Sequence, residues 1–270
     1  MPEGKRLLEA EIVQVSREHP TLGYKKLAAK LRSLGYRANK KMVQRVRREE
    51  GLQVPPRRPR KRRQGLSTGL PQKAVRRNHV WAWDFVSDYT QRGGKLRAFN
   101  LIDEFTRECQ CIHADRAIKA SDVLALLQKA IGEHGAPECI RSDNGPEFIA
   151  KAIQRCLKDN GIKTLYIDPG CPWRNGYAES FNSRFREECL DRELIYTLSE
   201  SRVVFSDWRD YYNKQRPHRS LGLLTPSEFA TEQLEGPSRS GRPTGFLRRK
   251  ETNNNINHEN PVENLSLEPS

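Results

Sequence analysis

The chain has 270 residues, of which 36% are hydrophobic and 30% are charged, so it can build a sizeable core beneath a heavily charged surface. Its 48 lysines and arginines exceed its 34 acidic residues and give a net charge of +14, which favours a polyanion such as nucleic acid as partner. Charge alone also fits an ordinary basic protein. No stretch approaches the roughly 18 consecutive apolar residues of a membrane helix, and no apolar signal segment follows the N-terminal residues. These features predict a cytoplasmic protein without a membrane partner.

Residues 1–54 predict three helices. Apolar residues recur at helical spacing over residues 3–18 and again after Leu22, and Asn39 is a good N-cap for the third helix. A short turn with Gly35 precedes that third helix, which is basic. The pattern is typical of a helix-turn-helix DNA-binding domain, and a helical hairpin with a solvated basic face has the same pattern. Four cations of the third helix are candidate DNA contacts: Lys40, Lys41, Arg45 and Arg47.

Two segments lack the periodicity of packed elements. Residues 55–75 are rich in Pro, Gly, Ser and charge and predict a basic flexible linker. Its cations should bind phosphates through counterion release without reading sequence. Residues 236–270 are polar and predict a disordered tail. The candidate DNA-binding cations of the linker are Arg57, Arg58, Arg60, Lys61, Arg62 and Arg63.

Residues 76–235 alternate between strand-like and helix-like patterns. Three successive strands come first, with Gly93 and Gly94 in the turn between the first two, and helices and strands then alternate. This order predicts an α/β domain with a mixed sheet and helices on both faces. The predicted strands are 80–89, 95–102, 108–113, 139–141 and 163–167. The predicted helices are 121–133, 147–159 and about 178–190.

Three carboxylates stand where a solvated surface acid is not expected. Asp84 lies in the most apolar strand, on the same face as Ala82 and Val86, so its charge needs a partner or a metal ion. Asp143 closes a strand, and Glu179 stands in the first turn of a helix. Carboxylate oxygens without Cys or His beside them suit Mg²⁺ or Mn²⁺, and two such ions promote phosphoryl transfer. We therefore predict that these three acids are the catalytic and metal-binding residues.

A cation follows the third carboxylate on its predicted helix. Arg186 lies seven residues after Glu179, which is two helical turns along the same face. It is therefore predicted to contact a phosphate of the DNA strand near the scissile bond. The spacing between the acidic residues is weak support by itself, because a chain with 34 of them has acids at many separations. The local motifs carry more information.

Several segments resemble the motifs of one enzyme family, the Asp-Asp-Glu recombinases. Residues 83–85, 142–148 and 175–182 each surround one of the three carboxylates and resemble the active-site motifs of that family. Residues 216–229 resemble its closing motif, and residues 19–52 resemble its N-terminal helix-turn-helix. More narrowly, the chain is similar to the catalytic second-frame subunit of bacterial insertion-sequence transposases, which are relatives of retroviral integrase.

The resemblance implies a ribonuclease-H-like core, dependence on Mg²⁺ with Mn²⁺ as a substitute, and cleavage followed by strand transfer at the ends of an insertion element. The implied partners are the terminal repeats of the element, target DNA, further copies of this chain on that DNA, and an upstream-frame subunit. Members of the family usually act as a fusion to that subunit, whose coiled-coil heptads do not occur in this chain. The implied place of action is the bacterial cytoplasm, at the nucleoid when the protein is bound to DNA.

Two other functions fit parts of the sequence. A DNA-binding regulator would use the helices and the linker with an inactive core, whereas the three intact carboxylates favour an enzyme. A nuclease of the same fold would cut DNA without joining it, and only the family motifs argue against that function.

Five further residues have weaker functional interpretations. Asp103 and Glu104 end the second strand, either near the predicted metal site or in a surface turn. Glu147 is expected to complement the dipole of the helix that it begins. Trp173 and Tyr177, beside the third carboxylate, stack either on an unpaired DNA base or in the core.

Overall fold

The computed structural model describes residues 3–55, 73–143, 145, 147–167 and 175–235. These residues belong to one compact unit. No helix within these ranges is both long and apolar enough to cross a membrane. The predicted linker cations Arg57 to Arg63, Trp173 and the predicted tail 236–270 lie outside the described residues.

Three helices form the N-terminal part: α1 over Glu3–Glu18, α2 over Tyr24–Ser33 and α3 over Lys40–Glu49. Their apolar faces share one buried cluster, as the helical spacing predicts. The Asn39 side chain accepts a hydrogen bond of 3.0 Å from the backbone N–H of Lys41, which confirms the predicted N-cap.

Five strands of the described residues form one sheet: β1 Val80–Tyr89, β2 Lys95–Asp103, β3 Cys109–Asp115, β4 Cys139–Ser142 and β5 Lys163–Tyr166. Their order is β3-β2-β1-β4-β5. The first three strands pair antiparallel, whereas β4 pairs parallel with β1, and β5 pairs parallel with β4. In the turn between β1 and β2, Gly93 has a φ of +76°, which a residue without a side chain adopts freely.

The helices of the core are α4 Ala120–His134, α5 Lys151–Asp159, α6 Gly176–Phe185, α7 Leu198–Lys214 and α8 Pro226–Glu235. Side chains of β1 alternate between the two faces of the sheet. Trp81 and Trp83 join a buried cluster with α4 and α5 on one face. Ala82 and Val86 join a second cluster with α6 and α7 on the other face. This arrangement confirms the predicted mixed sheet with helices on both faces.

The prediction of a helix beginning at residue 147 is wrong by four positions, because α5 begins at Lys151. The backbone N–H groups of Phe148 and Ile149 both donate to the carbonyl of Gly145, and these bonds form a turn before the helix. The Phe148 side chain is buried in the core, so this turn is fixed by packing against residues remote in sequence.

A second difference from prediction follows α6. Residues 186–190 do not continue the α-helix but form a π-helical turn, closed by a 2.9 Å hydrogen bond from the N–H of Asp191 to the carbonyl of Arg186. Such turns widen a helix locally and often occur at functional sites. Glu188 lies in this wider turn.

A buried ion pair joins the π-helical turn to the segment after α7. The Arg216 guanidinium donates to both carboxylate oxygens of Glu188, over 2.5 and 2.6 Å, and the two side chains are 2% and 4% exposed. The ring of His218 packs against Tyr212 of α7, with centroids 4.7 Å apart. Buried side chains at the start of the predicted closing motif therefore connect the end of α6 to α7.

The N-terminal helices contact the core at the C-terminal end of α7. The ring of His19 stacks on Tyr211 with centroids 5.3 Å apart, and the Lys30 ammonium donates to the Gln215 side chain over 3.1 Å. The predicted domain boundaries at residues 54 and 75 stay predictions, because the segment between them lies mostly outside the described residues.

Removing one partner of the buried ion pair should destabilise the fold. Arg216→Met leaves the Glu188 carboxylate buried without its cation, and we expect the free energy of unfolding to fall by about 3–5 kcal/mol. Combining Arg216→Met with Glu188→Leu should restore much of this loss, because no charge is then left unpaired. Urea unfolding at pH 7 measures both changes.

A surface ion pair is the matched control for this experiment. Arg202 pairs with Asp115 over 2.8 Å, and both side chains are much more exposed, so Arg202→Met should change the free energy of unfolding by at most about 1 kcal/mol. A loss in Arg216→Met no larger than in Arg202→Met would contradict the structural role of the buried pair.

Candidate active site

Two strands bring the first two predicted catalytic carboxylates side by side. In the parallel pairing of β1 with β4, Ala82 lies opposite Arg141. Asp84 and Asp143 each follow two residues later, so they lie at the same level and on the same face of the sheet. Helix α6 packs on this face, and Glu179 stands in its first turn.

Asp84 is half-buried, whereas the other two carboxylates are exposed. Its Oδ1 accepts a hydrogen bond from the backbone N–H of Phe85, and its Oδ2 accepts one from the Asn182 side chain, each over 2.8 Å. The pKa of Asp84 is raised from 3.8 to about 6, first by burial and then by the charges of Asp143 and Glu179, against the lowering effect of the hydrogen bonds. Asp143 and Glu179 are therefore each close enough to repel the Asp84 carboxylate.

The three carboxylates are neighbours but not a formed ligand set. Among the described residues, no three Asp, Glu, His or Cys side chains are arranged to hold a metal ion. Their chemistry fits a divalent cation, because every donor is a carboxylate oxygen and a cation would relieve the repulsion that raises the pKa of Asp84. Metal binding by Asp84, Asp143 and Glu179 stays a prediction.

Two asparagines that the sequence analysis did not single out hold Asp84 in place. Asn182 lies on α6, and its side chain also accepts a hydrogen bond of 2.8 Å from the Asn100 side chain. Asn100 is buried and lies opposite Asp84 in the pairing of β1 with β2. These bonds connect the carboxylate, the sheet and the helix of Glu179. The sequence holds one signal for Asn182: it lies three residues after Glu179, and positions three apart share a helix face.

The two acids at the end of β2 are internal. Asp103 is fully buried and accepts three backbone hydrogen bonds of 2.7 to 2.9 Å. Glu104 accepts a hydrogen bond of 2.6 Å from Arg141, with side chains 0% and 5% exposed. Burial raises the pKa of Glu104, and the Arg141 guanidinium opposes that rise. The expectation of a surface turn is therefore wrong, and the bonds made by these acids are structural.

Two other residues with weaker interpretations make contacts within the protein. Tyr177 is half-buried, and the guanidinium carbon of Arg107 lies 3.8 Å from its ring centre, so one face of the ring is covered. Glu147 lies before α5 and pairs with Arg97 over 2.6 Å. The expectation that it complements a helix dipole as the first residue of that helix is not met.

The predicted DNA-contacting cations of α3 differ in exposure. Lys40 and Lys41 are exposed. Arg45 pairs with Glu9 and with a carboxylate on its own helix. Arg47 is only 2% exposed and donates to two backbone carbonyls of the helical unit. Its charge is not presented to solvent, so the prediction that Arg47 contacts DNA is corrected: it stabilises the helices from within.

Arg186 lies at the start of the π-helical turn. Its guanidinium pairs with Asp88 over 3.4 Å and donates to the carbonyl of Ser87 over 2.9 Å. The side chain is 45% exposed, so a phosphate can reach it. A rise of 1.5 Å per residue separates it from Glu179 by about 10 Å along the helix axis. Contact of Arg186 with the scissile strand stays a prediction.

Family comparisons agree with this architecture. An HTH-like domain matches residues 3–60, and integrase core domain families match residues 74–172 and 160–226. The chain is 38% identical over 228 residues to the insertion element IS407 uncharacterized 31.7 kDa protein of Burkholderia multivorans, covering 84% of this chain and 81% of that protein. It is 27% identical over 221 residues to the putative transposase InsK for insertion sequence element IS150 of Escherichia coli, covering 78% and 77% of the two chains.

A solved structure is similar in fold. It is the cryo-EM structure of a simian T-cell lymphotropic virus intasome in complex with PP2A regulatory subunit B56 gamma. The TM-score is 0.54 at 16% sequence identity, and the match covers 85% of this chain and 78% of that chain.

The raised pKa of Asp84 predicts that this residue destabilises the metal-free protein at neutral pH. Folding favours its protonated form, so its contribution to stability is most favourable below about pH 4 and is lost as the pH rises to about 6. Asp84→Asn should remove this part of the pH dependence and raise the free energy of unfolding at pH 7.5 by on the order of 1–2 kcal/mol, because the amide keeps the hydrogen bond from Phe85 but loses the one from Asn182.

Urea unfolding in EDTA between pH 4.5 and pH 7.5 measures this effect. Asp115→Asn, on the edge strand β3, is the control and should not be stabilised. An Asp84→Asn protein no more stable than wild type at pH 7.5 would contradict the prediction.

Proposed function

This chain belongs to the integrase core family, among the transposases of bacterial insertion sequences, and we propose that it performs Mg²⁺-dependent cleavage and strand transfer at the ends of its element. The observation that carries the proposal is the grouping of Asp84, Asp143 and Glu179, in which the charges of the last two add to burial in raising the pKa of Asp84 to about 6. Clustered like charges destabilise a fold, so their presence favours a functional role.

The roles of the residues follow from their surroundings. Asp84 is the fixed member of the site, because its two oxygens are held by Phe85 and Asn182. Asp143 and Glu179 are exposed and open to the approach of DNA. A pair of divalent cations, when bound by these three carboxylates, supplies Lewis acidity and activates an attacking oxygen.

DNA contacts are assigned to two basic regions and to Arg186. Lys40 and Lys41 begin α3, where the residues of a recognition helix contact base edges. Arg45 contributes only when it leaves its two acidic partners. The linker cations between residues 57 and 63 bind phosphates.

We further propose the partners and the place of action. The partners are the terminal repeats of the element, target DNA, further copies of this chain and an upstream-frame subunit. The protein acts in the bacterial cytoplasm, at the nucleoid when it is bound to DNA.

Removing one carboxylate charge at a time tests the proposed chemistry. Asp84→Asn, Asp143→Asn and Glu179→Gln each keep the shape of the side chain but lose the charge that holds a cation. We expect cleavage and joining to fall by more than the roughly 10–100-fold that loss of an outer-shell partner causes, with DNA affinity nearly unchanged. Labelled terminal-repeat DNA incubated with the protein and Mg²⁺ reports both products.

A carboxylate outside the site serves as control. Glu138 precedes β4 and pairs with Arg76 on the surface, so Glu138→Gln should keep full activity. Cleaved but unjoined products from wild-type protein would identify a nuclease, and binding without any product would identify a regulator. Weaker DNA binding with unchanged cleavage in the three variants would assign their carboxylates a structural role.

The basic regions should affect DNA binding in different ways. Neutralising the linker cations should weaken binding to all sequences alike and reduce the log–log salt slope by about 0.9 for each phosphate interaction that is removed. Replacing Lys40 or Lys41 by Met should reduce specificity, by about 1–3 kcal/mol for each bidentate hydrogen-bonded pair with a base that is removed. Arg186→Met should reduce turnover more than affinity.

Titrations of terminal-repeat and scrambled DNA at several salt concentrations separate these effects, with single-turnover rates for Arg186→Met. Equal weakening of both DNAs by the Lys40 and Lys41 variants would mean that α3 binds only phosphates. Sequence recognition would then belong to another subunit.

A further inference from the structure

Asp143 lies on the face of the sheet that α6 covers, whereas Phe148, five residues later, belongs to the buried cluster on the other face. Asp143 lies just beyond β4, and its Oδ1 accepts a hydrogen bond of 3.2 Å from the N–H of Gly145. The chain then turns, and the N–H of Phe148 donates to the carbonyl of Gly145 over 2.9 Å. Asp143 is therefore positioned by β4 on one side and by the contacts of this turn on the other.

Phe148 is held by the two residues that flank Asp84 in sequence. Its ring stacks on Trp83 with centroids 4.6 Å apart and on Phe85 with centroids 4.9 Å apart, at interplanar angles of 11° and 14°. Phe148 is 1% exposed. Because neighbouring residues of a strand point to opposite faces, Trp83 and Phe85 contact this ring on the face opposite to Asp84.

An ion pair near the surface joins β2 to the turn after Asp143. Arg97 of β2 donates to Glu147 over 2.6 Å, and the two side chains are 29% and 19% exposed. The guanidinium carbon of Arg97 also lies 3.7 Å from the ring centre of Phe85. The hydrogen bond from Arg97 lowers the pKa of Glu147. Arg97 therefore contacts both the turn after Asp143 and the strand of Asp84.

We propose that Arg97, Glu147 and Phe148 are positioning residues that set the Asp143 carboxylate relative to Asp84, acting through the far face of β1. None of the three is assigned a contact with the reacting atoms. Asp143 itself is exposed, so the segment that carries it needs this anchor to hold one geometry. The inference rests on the proposed function for its effect on Mn²⁺ binding, whereas the anchor itself is a structural property.

Arg97 has one rival role, which the ion pair allows us to test. A partly exposed guanidinium could instead bind a DNA phosphate, with Glu147 as a competitor for its charge. The two roles predict different DNA affinities for Glu147→Ala. If Arg97 binds phosphate, removing Glu147 frees the cation and strengthens DNA binding. If the pair anchors the turn, removing either partner harms the site in the same way.

The experiment compares Arg97→Met, Glu147→Ala, the double variant and the matched control Arg202→Met in the full chain. The first readout is hydrogen exchange of the amides in residues 145–150, without metal or DNA. The second is the Mn²⁺ concentration for half-maximal binding, followed by paramagnetic resonance. The third is affinity for terminal-repeat DNA in EDTA.

We expect both single variants to speed exchange in residues 145–150 and to weaken Mn²⁺ binding by about 10-fold or more, as loss of outer-shell partners does. The double variant should be no worse than either single variant, because both remove the same ion pair. DNA affinity should stay nearly constant, and Arg202→Met should match wild type in every readout.

Unchanged exchange in residues 145–150 in both single variants would overturn the anchor whatever the activity. Faster exchange with unchanged Mn²⁺ binding would overturn the positioning of Asp143. Tighter DNA binding by Glu147→Ala together with weaker binding by Arg97→Met would assign Arg97 to phosphate binding instead. Failure of the wild-type protein to bind Mn²⁺ would count against the proposed function, while the exchange data would still decide whether the anchor exists.

Discussion

The parallel pairing of β1 with β4 is the constraint on which the rest of the molecule depends. It sets Asp84 and Asp143 at one level, although they are remote in sequence. Because β1 is the central strand, each neighbouring element is placed by reference to it. Helix α6 lies against one face and contributes Glu179 and Asn182, and the turn after β4 is packed against the other face. A shift of one residue in the register of β4 against β1 would move each side chain of β4 to the opposite face of the sheet.

The site concentrates interactions that oppose folding. One carboxylate is half-buried, two more carry like charge, and the buried Oδ1 of Asn100 has no hydrogen-bond partner among the described residues. The stacked rings around Phe148 and the buried pair of Glu188 with Arg216 stabilise the strand and the helix that carry the site. The protein therefore holds a cluster of like charges on a rigid apolar support, whose packing offsets part of the cost of that cluster to folding.

The sequence predicted what depends on local period and little of what depends on distant partners. Strong alternation in β1 placed Asp84 on the correct face, and helical spacing gave the three N-terminal helices. The start of α5 was missed because Phe148 is bound by rings of β1 that no local window contains. Arg45 and Arg47 are indistinguishable by residue type, yet only Arg47 meets two backbone carbonyls of its own unit. The role of Asn100 was hidden because it depends on the pairing of β1 with β2.

The π-helical turn after α6 is a place where the chain can change its length by one residue. Its i→i+5 hydrogen bond accommodates one residue more than an α-helical turn would. Deleting a single residue there would let the α-helix continue while the segment after it keeps nearly the same rotation about the helix axis, because the wider turn already absorbs the extra residue. Glu188 lies within this turn, so the residue that faces Arg216 would depend on which position is deleted, while Glu179, upstream on the same helix, would keep its place. The chain length between Glu179 and the segment that leads to α7 can therefore differ by one residue at this turn without rotating that segment.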